Sequence, residues 1–336
     1  MPRFDFYKTL SQSTDALKSL SALNPLTIRK KGTRAKAIFA LIAICILWGT
    51  TWLASKQGVK YIPDGLQLAS IRQLLGGLCY IVFFLYKRTA LPKGKEWIPI
   101  IVLSFLNFMI SNGLSTLALQ YKISGGLGAI IGAIFPLWLV VIGLFASRSK
   151  MPIMAIAGLI LGFGGVCVIF YDHLNEFLDP KFRIGILLSV ISTWTWAIAT
   201  LYTKRQAVHF NPYFSLGLQM FISGIVLYSF SAASGRAVVP TAIPWQSWTA
   251  IVYLVIFGSI LGFVCYLYAL QNLPTEQASI YAYINPIVAV VMGSIVFDEK
   301  LTIYLAIGGI VTLLGVYLVN KAYKITTAEQ PETEGM

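Results

Sequence analysis

Along the chain, apolar residues run continuously for about twenty positions at a time, and the polar and charged residues gather between the runs. A helix needs roughly 20 apolar residues to cross about 30 Å of hydrocarbon. Ten runs meet that rule: Ala37 to Ser55, Leu66 to Tyr86, Trp97 to Leu119, Gly125 to Ala146, Ile153 to Phe170, Ile184 to Thr203, Pro212 to Ala232, Ser247 to Leu270, Ala278 to Phe297 and Thr302 to Val319. They predict an all-α integral membrane protein of ten transmembrane helices.

Composition supports that reading. Of 336 residues 57% are hydrophobic and only 12% charged, with a mean hydropathy of +0.74, far from the balance of a soluble domain. The net charge of +13 does not point to nucleic acid, because the basic residues sit between apolar runs and not on one solvated face. Cys45, Cys79, Cys167 and Cys265 fall singly inside apolar runs, without metal-ligand spacing, and read as small packing residues. No small-residue cleavage site accompanies the first run, so it is expected to remain as a span.

Cytoplasmic flanks carry the excess of lysine and arginine. With the N-terminus inside, 18 of these residues lie on the cytoplasmic side and 7 outside, and Arg72 lies within a span. Both termini are therefore expected in the cytoplasm of a cell expected to be bacterial, with the chain in its inner membrane. Residues 1–36 form a basic leader, either a solvated segment that fixes topology or an amphipathic helix on anionic lipid. Residues 324–336 read as a disordered tail.

The chain also resembles itself at an offset near 150. Trp48 to Lys56 returns as Trp196 to Lys204, Ala118-Leu119-Gln120 as Ala269-Leu270-Gln271, Pro136 with Gly143 as Pro286 with Gly293, and Gly158, Gly165 and Val166 as Gly308, Gly315 and Val316. The repeats are expected over residues 37–170 and 184–323. Five spans per repeat is an odd number, so the second copy enters the membrane from the opposite side. Inverted repeats of this kind belong to secondary carriers, with a central cavity near the midplane between the halves and alternating access by rocking.

With these residues in view the chain resembles the drug/metabolite transporter superfamily, in particular its EamA-like ten-helix exporters. The likeness rests on Leu47 to Trp52, Pro63, Ile71 to Leu75, Tyr268-Ala269-Leu270, Ala278-Ser279, Asn285-Pro286, Glu299 to Thr302 and Gly308 through Val316. It implies a bundle around a central cavity, export of amino acids or similar small metabolites, and no tightly bound cofactor. One departure stands out: the glutamate that closes the fourth span in that family is Ser149 here, while Glu299 keeps its counterpart in the second repeat.

Arg72 is the single charge well inside a span, about 9 Å below the outer interface at 1.5 Å per residue. Burying it costs roughly 2.5–3.5 kcal/mol on insertion scales, so it must meet a partner or water. Two roles are open: gripping the carboxylate of an anionic or zwitterionic substrate, or tying the carbonyls of neighbouring helices. Ser104, Asn107, Ser111 and Ser115, with Asn112 beside them, make a polar stripe on the third span, and Ser189, Thr193, Trp196, Thr200 and Thr203 another on the sixth. Such stripes either line a wet cavity or join helices.

Trp48, Trp52, Trp194, Trp196, Tyr266, Tyr281 and Tyr283 lie within or near spans and suit a cavity for an amphipathic or aromatic solute, together with Asn285. Trp97, Trp245 and Trp248 begin spans and read as interfacial anchors. The glycine rows Gly125, Gly128, Gly132, then Gly158, Gly162, Gly165, and Gly308 and Gly315 around Thr312, read as close helix packing. Pro136 and Pro286 are hinge candidates.

No acidic residue lies in the middle of a span, which favours a facilitator, or coupling without a buried carboxylate, over a carboxylate-driven antiporter. The motifs of hydrolases, nucleotide-binding enzymes and metalloenzymes are absent from the sequence, so no enzyme, metal or cofactor is expected. Nor does any segment read as a selectivity filter. The expected function is export of neutral or aromatic amino acids by alternating access; nucleosides, sugars, organic acids and drugs stay open as cargo, and a receptor or channel as a lesser reading. The partners expected are a small-molecule substrate and membrane lipid, with no nucleic acid and a monomer as the working unit.

Overall fold

A computed structural model describes residues 33–135, 137–138, 141–142, 152–172, 174–206, 211–273 and 281–328. Among them every regular element is helical. Ten helical runs follow one another: α1 Thr33–Tyr61, α2 Gly65–Tyr86, α3 built from Trp97–Leu103, Ser104–Asn112 and Gly113–Ala118, α4 beginning as Gly125–Ala133, and α5 Ile153–Asp172. The second set is α6 Pro180–Gln206, α7 Pro212–Ala233, α8 built from Trp245–Tyr253, Leu254–Leu261 and Gly262–Asn272, α9 Tyr281–Phe297 and α10 Ile303–Ala328. The leader, residues 274–280 and Pro136 lie outside the described residues, as does the side chain of Tyr283.

Local chemistry sets the helix starts. Asp64 accepts the Leu66 amide at 3.1 Å to cap α2, Ser124 accepts the Leu127 amide at 3.0 Å to cap α4, and Asn211 accepts the amides of Tyr213 and Phe214 to cap α7. Between α3 and α4 the chain turns through Lys122, whose backbone is left-handed at φ 61°.

Six of these helices, α1, α2, α3, α6, α7 and α8, are long and apolar enough to cross a membrane, and α5, α9 and α10 contain shorter apolar stretches. Their outward faces are greasy: Phe39, Ile42 and Ile46 on α1, Ile153, Ile156 and Ile160 on α5, and Ile303, Ile307 and Ile310 on α10 are all exposed. In water such a belt would be untenable; in lipid it is the solvated surface. The molecule is a multi-pass membrane protein.

The two repeats interleave across a pseudo-two-fold axis. α2 packs on α7, α4 on α9 and α5 on α10, each helix against its own counterpart. Off the axis, α1 packs on α8 and α9 of the second repeat, while α6 packs on α3 and α4 of the first. The closest approach is α5 against α10. A Cβ on Gly158 would stand 2.8 Å from the Gly315 carbonyl oxygen, and one on Gly165 would stand 2.5 Å from the Thr312 nitrogen, so only glycine fits.

Candidate functional site

α3 and α8 are repeat counterparts, and both widen in mid-membrane into π-helical winding, over Ser104–Asn112 and Leu254–Leu261. A π turn disturbs the regular carbonyl ladder, and bonds from side chains compensate, often at functional sites. Here the donors come from other helices. Gln73 Nε2 donates to the Phe108 carbonyl at 3.0 Å and Ser192 Oγ to that of Ser111 at 2.7 Å. On α8, Trp48 Nε1 donates to the Gly258 carbonyl at 3.1 Å, and Tyr80 Oη to those of Ser259 and Ile260 at 3.2 and 3.0 Å.

Where the π run of α3 ends at Ser111 and Asn112, and just past that of α8 at Phe263, lies a cavity of about 180 Å³. α1 contributes Trp48, Thr51, Trp52 and Ser55, α2 Arg72, α3 Ser111, Asn112, Ser115 and Thr116, and α6 Ser189, Ser192, Thr193 and Trp196. Phe263 of α8 and Tyr281, Asn285 and Pro286 of α9 complete the wall, and Gly128 and Gly132 of α4 seat the Trp52 ring.

Arg72 reaches the cavity from α2, its Nε donating to Ser259 Oγ at 3.1 Å and its head lying in the space left by Gly258. No carboxylate among the described residues pairs with it. Its bonded neighbour is therefore a hydroxyl, and the guanidinium keeps donors for an anion in the cavity.

The hydroxyls of the wall are oriented the other way electronically. Thr51, Ser115, Thr116, Ser189, Ser192 and Thr193 each donate their proton to a backbone carbonyl. What they offer the cavity is lone pairs, which accept hydrogen bonds from a solute. Beside them Trp48 packs against Phe263, Tyr266 and Tyr281 with ring centroids 5.1, 5.1 and 5.3 Å away, giving an aromatic wall.

Of the residues singled out from sequence, the fold brings Arg72, Trp48, Trp52, Ser111, Asn112, Trp196, Tyr281, Asn285 and Pro286 to this cavity. Asn285, its amide oriented to satisfy its neighbours, donates to the carbonyls of Cys45 at 3.0 Å and Tyr281 at 3.1 Å, fixing α9 to α1 beside Pro286. Tyr266 stands behind Trp48 and does not line the wall.

Three expectations need correction. Asn107 is not on the cavity wall; it lies about one turn before Ser111 and Asn112, past the end of the wall, and its carbonyl accepts from Asn112 Nδ2 at 2.9 Å. Thr200 lies beyond the wall and gives its hydroxyl to the Trp196 carbonyl at 2.8 Å. Trp194 is 46% exposed and faces outward, two positions and therefore half a turn from Trp196.

The sequence reading passed over Thr51, Ser55, Thr116, Ser192 and Phe263, all on the wall. Ser55 and Ser192 follow from the helix period, one turn from Trp52 and Ser189. Phe263 carried no signal that set it apart from other apolar residues. Asp64, only 2% exposed at the start of α2, was also passed over.

The profile of the EamA-like transporter family matches residues 35–171 and again 183–321. The chain belongs to the EamA-like transporter family. The double match within this EamA-like chain falls on the two interleaved helix sets. Relatives include the uncharacterized transporter YvbV of Bacillus subtilis, 28% identical with 89% of this chain and 96% of that protein covered. The uncharacterized inner membrane transporter YedA of Escherichia coli K12 is 29% identical, covering 83% and 91%. A WAT1-related chloroplastic protein of Arabidopsis thaliana is 26% identical, covering 83% and 68%. A solved crystal structure shares the fold with a TM-score of 0.60 at 17% identity, covering 86% of this chain and 98% of its own.

Proposed function

We propose that this EamA-like chain is a secondary carrier that exports small amphipathic metabolites bearing a carboxylate, neutral or aromatic amino acids first, by alternating access across the cell membrane. The carrying observation is Arg72, a cavity-lining guanidinium with no acidic partner among the described residues. It supplies donors for a carboxylate, the acceptor hydroxyls lining the same cavity suit an ammonium group, and the aromatic wall suits an apolar side chain. A purely cationic drug would meet Arg72 as a like charge, which sets that cargo behind a zwitterion.

The excess of lysine and arginine on one side supports cytoplasmic termini and puts the Lys56 end of α1 outside. Relatives named as transporters support the carrier reading over an enzyme. The described residues that line the cavity include no carboxylate, which supports transport without a buried acidic relay.

Counterflow of labelled amino acids into liposomes containing the purified protein tests the reading. Exchange of aromatic or neutral amino acids is expected, lost in Arg72→Gln and partly kept in Arg72→Lys. Unchanged kinetics in Arg72→Gln would reject the carboxylate site.

A further inference from the structure

The α3–α4 turn closes over the cavity at the end where Ser55 and Leu119 line it. Four side chains hold that turn in place; one, Gln120 on the turn itself, accepts the Gly65 amide at 2.7 Å and donates to the Ile62 carbonyl at 3.0 Å. From α1, Lys56 Nζ donates to the carbonyls of Leu119 and Ile123, both at 2.7 Å. From the second repeat, the Glu299 carboxylate accepts the Gly125 amide at 2.8 Å and the Gly126 amide at 3.2 Å, the first two amides of α4. Lys122, on the turn itself, pairs with Asp179 just before α6.

Glu299 is placed for this by its own backbone. Asp298 ends α9 in a left-handed conformation at φ 51°, and Gly293 makes room, since a Cβ there would stand 2.6 Å from Glu299 Oε2. A carboxylate at a helix N-terminus meets both free amides and the positive end of the helix dipole.

The repeat supplies the comparison. In the sequence repeat, Lys56 corresponds to Lys204 and Glu299 to Ser149, which carries no charge and lies outside the described residues. We infer that Lys56 and Glu299 are a one-sided latch, holding the Lys56 end shut and leaving the empty carrier open at the other end. The inference rests on the carrier reading above, in whose orientation the carrier rests open to the cytoplasm, where an exporter loads.

The test is accessibility, which does not depend on transport. In a chain whose four cysteines are replaced, Ser55→Cys places a thiol in the cavity just below the latch. A membrane-impermeant maleimide is applied to whole cells and to inverted vesicles, and Lys60→Cys, at an exposed site on the same end, reports which face that end occupies.

From the Lys60 face, Ser55→Cys is expected to react slowly in the otherwise unaltered chain. It should react about ten-fold faster with Glu299→Gln or Lys56→Gln, within the 5–150-fold range of coupled two-state equilibria. Ser149→Glu, which gives the first repeat the carboxylate that Glu299 supplies in the second, should raise the same rate. Glu299→Asp, which keeps the charge and shortens its reach, should fall between. Retained labelling from the opposite face shows that each variant is folded. Equal slow rates in all variants, or rapid labelling in the unaltered chain, would overturn the latch. Labelling that shifts as expected without any counterflow would instead keep the latch and remove the carrier reading.

Discussion

Gln73 and Ser223 hold the same position in the two repeats, 150 residues apart, and are hydrogen-bonded to each other across the bundle axis, Ser223 Oγ donating to Gln73 Oε1. The same Gln73 amide gives its nitrogen to the Phe108 carbonyl in the π run of α3. One side chain therefore joins α2, α7 and α3 in a buried setting.

Replacing Gln73 by Leu removes both bonds. The expected cost is about 1–2 kcal/mol, since membrane hydrogen bonds average about 0.6 and reach about 1.7 kcal/mol each. The midpoint of thermal unfolding in detergent should fall, and adding Ser223→Ala should cost less than the sum of the single changes, because the two share a bond.

Neighbouring glycines on α5 should behave oppositely. Gly165 has no space beyond its Cα, whereas a Cβ on Gly164 meets nothing within 4 Å. Gly165→Leu is expected to force α5 from α10 and destabilise by about 3 kcal/mol or more, at the upper end of overpacking costs. Gly164→Leu, facing lipid, should leave stability unchanged or slightly raised. Size-exclusion profiles after graded heating would separate them; equal behaviour would mean that the α5–α10 crossing is looser than described.

Trp48 is a test of the π run in α8. Trp48→Phe keeps an aromatic ring near Tyr281 and Phe263 but leaves the Gly258 carbonyl without its donor. An expected loss of about 1 kcal/mol in stability follows from one buried bond. Because Trp48 also lines the cavity, the half-saturating solute concentration in counterflow should rise. Unaltered stability and affinity together would remove both roles.

The Lys122–Asp179 pair sets a pH and salt dependence. The hydrogen bond and charge of Asp179 raise the affinity of Lys122 for its proton above the ordinary 10.5, and the bonds from Lys122 and Lys181 hold Asp179 below the ordinary 3.8. The lysine's share of stability is complete below pH 10.5 and is lost as pH climbs beyond that; the aspartate's is complete above pH 3.8 and is lost as pH falls below it. Between those limits no pH effect of this pair is expected. Both groups are exposed, so molar salt should weaken it at every pH in that window. Hydrogen exchange of the α3–α4 turn measured across salt concentrations would check this, and a turn indifferent to salt but sensitive to pH near 7 would refute it.

Much of the architecture was readable because lipid imposes it. Long apolar runs and the returns of Trp48 as Trp196 and Gly165 as Gly315 are enough to place helices and repeats, and the cavity gathers Arg72, Trp48, Trp52, Ser111, Asn112, Trp196, Tyr281 and Asn285 from the residues expected in it. What escaped was geometric. Nothing in Ser104 to Asn112 distinguishes a π run from an α-helix, and nothing in the polar stripe shows that the wall stops at Ser111, about one turn short of Asn107. Trp194 and Trp196 differ by half a turn, and their helical period alone separates them once only one can face inward. Lys56 reads as a span flank until the fold brings it under the Leu119 carbonyl, and Glu299 as a loop residue until α4 begins above it.

The interleaving of the repeats has a consequence for how the protein is made. α1 has its main partners on α8 and α9, so on leaving the ribosome it finds in its own half only its lesser contacts, on α2, α3 and α4. At about 5–20 residues per second, roughly 10–40 s pass before α8 emerges. Through that interval α1 and its buried Gly49 face must be held by lipid or by the insertion machinery. The first half is therefore a waiting intermediate, completed only when the second half threads its helices between those already inserted.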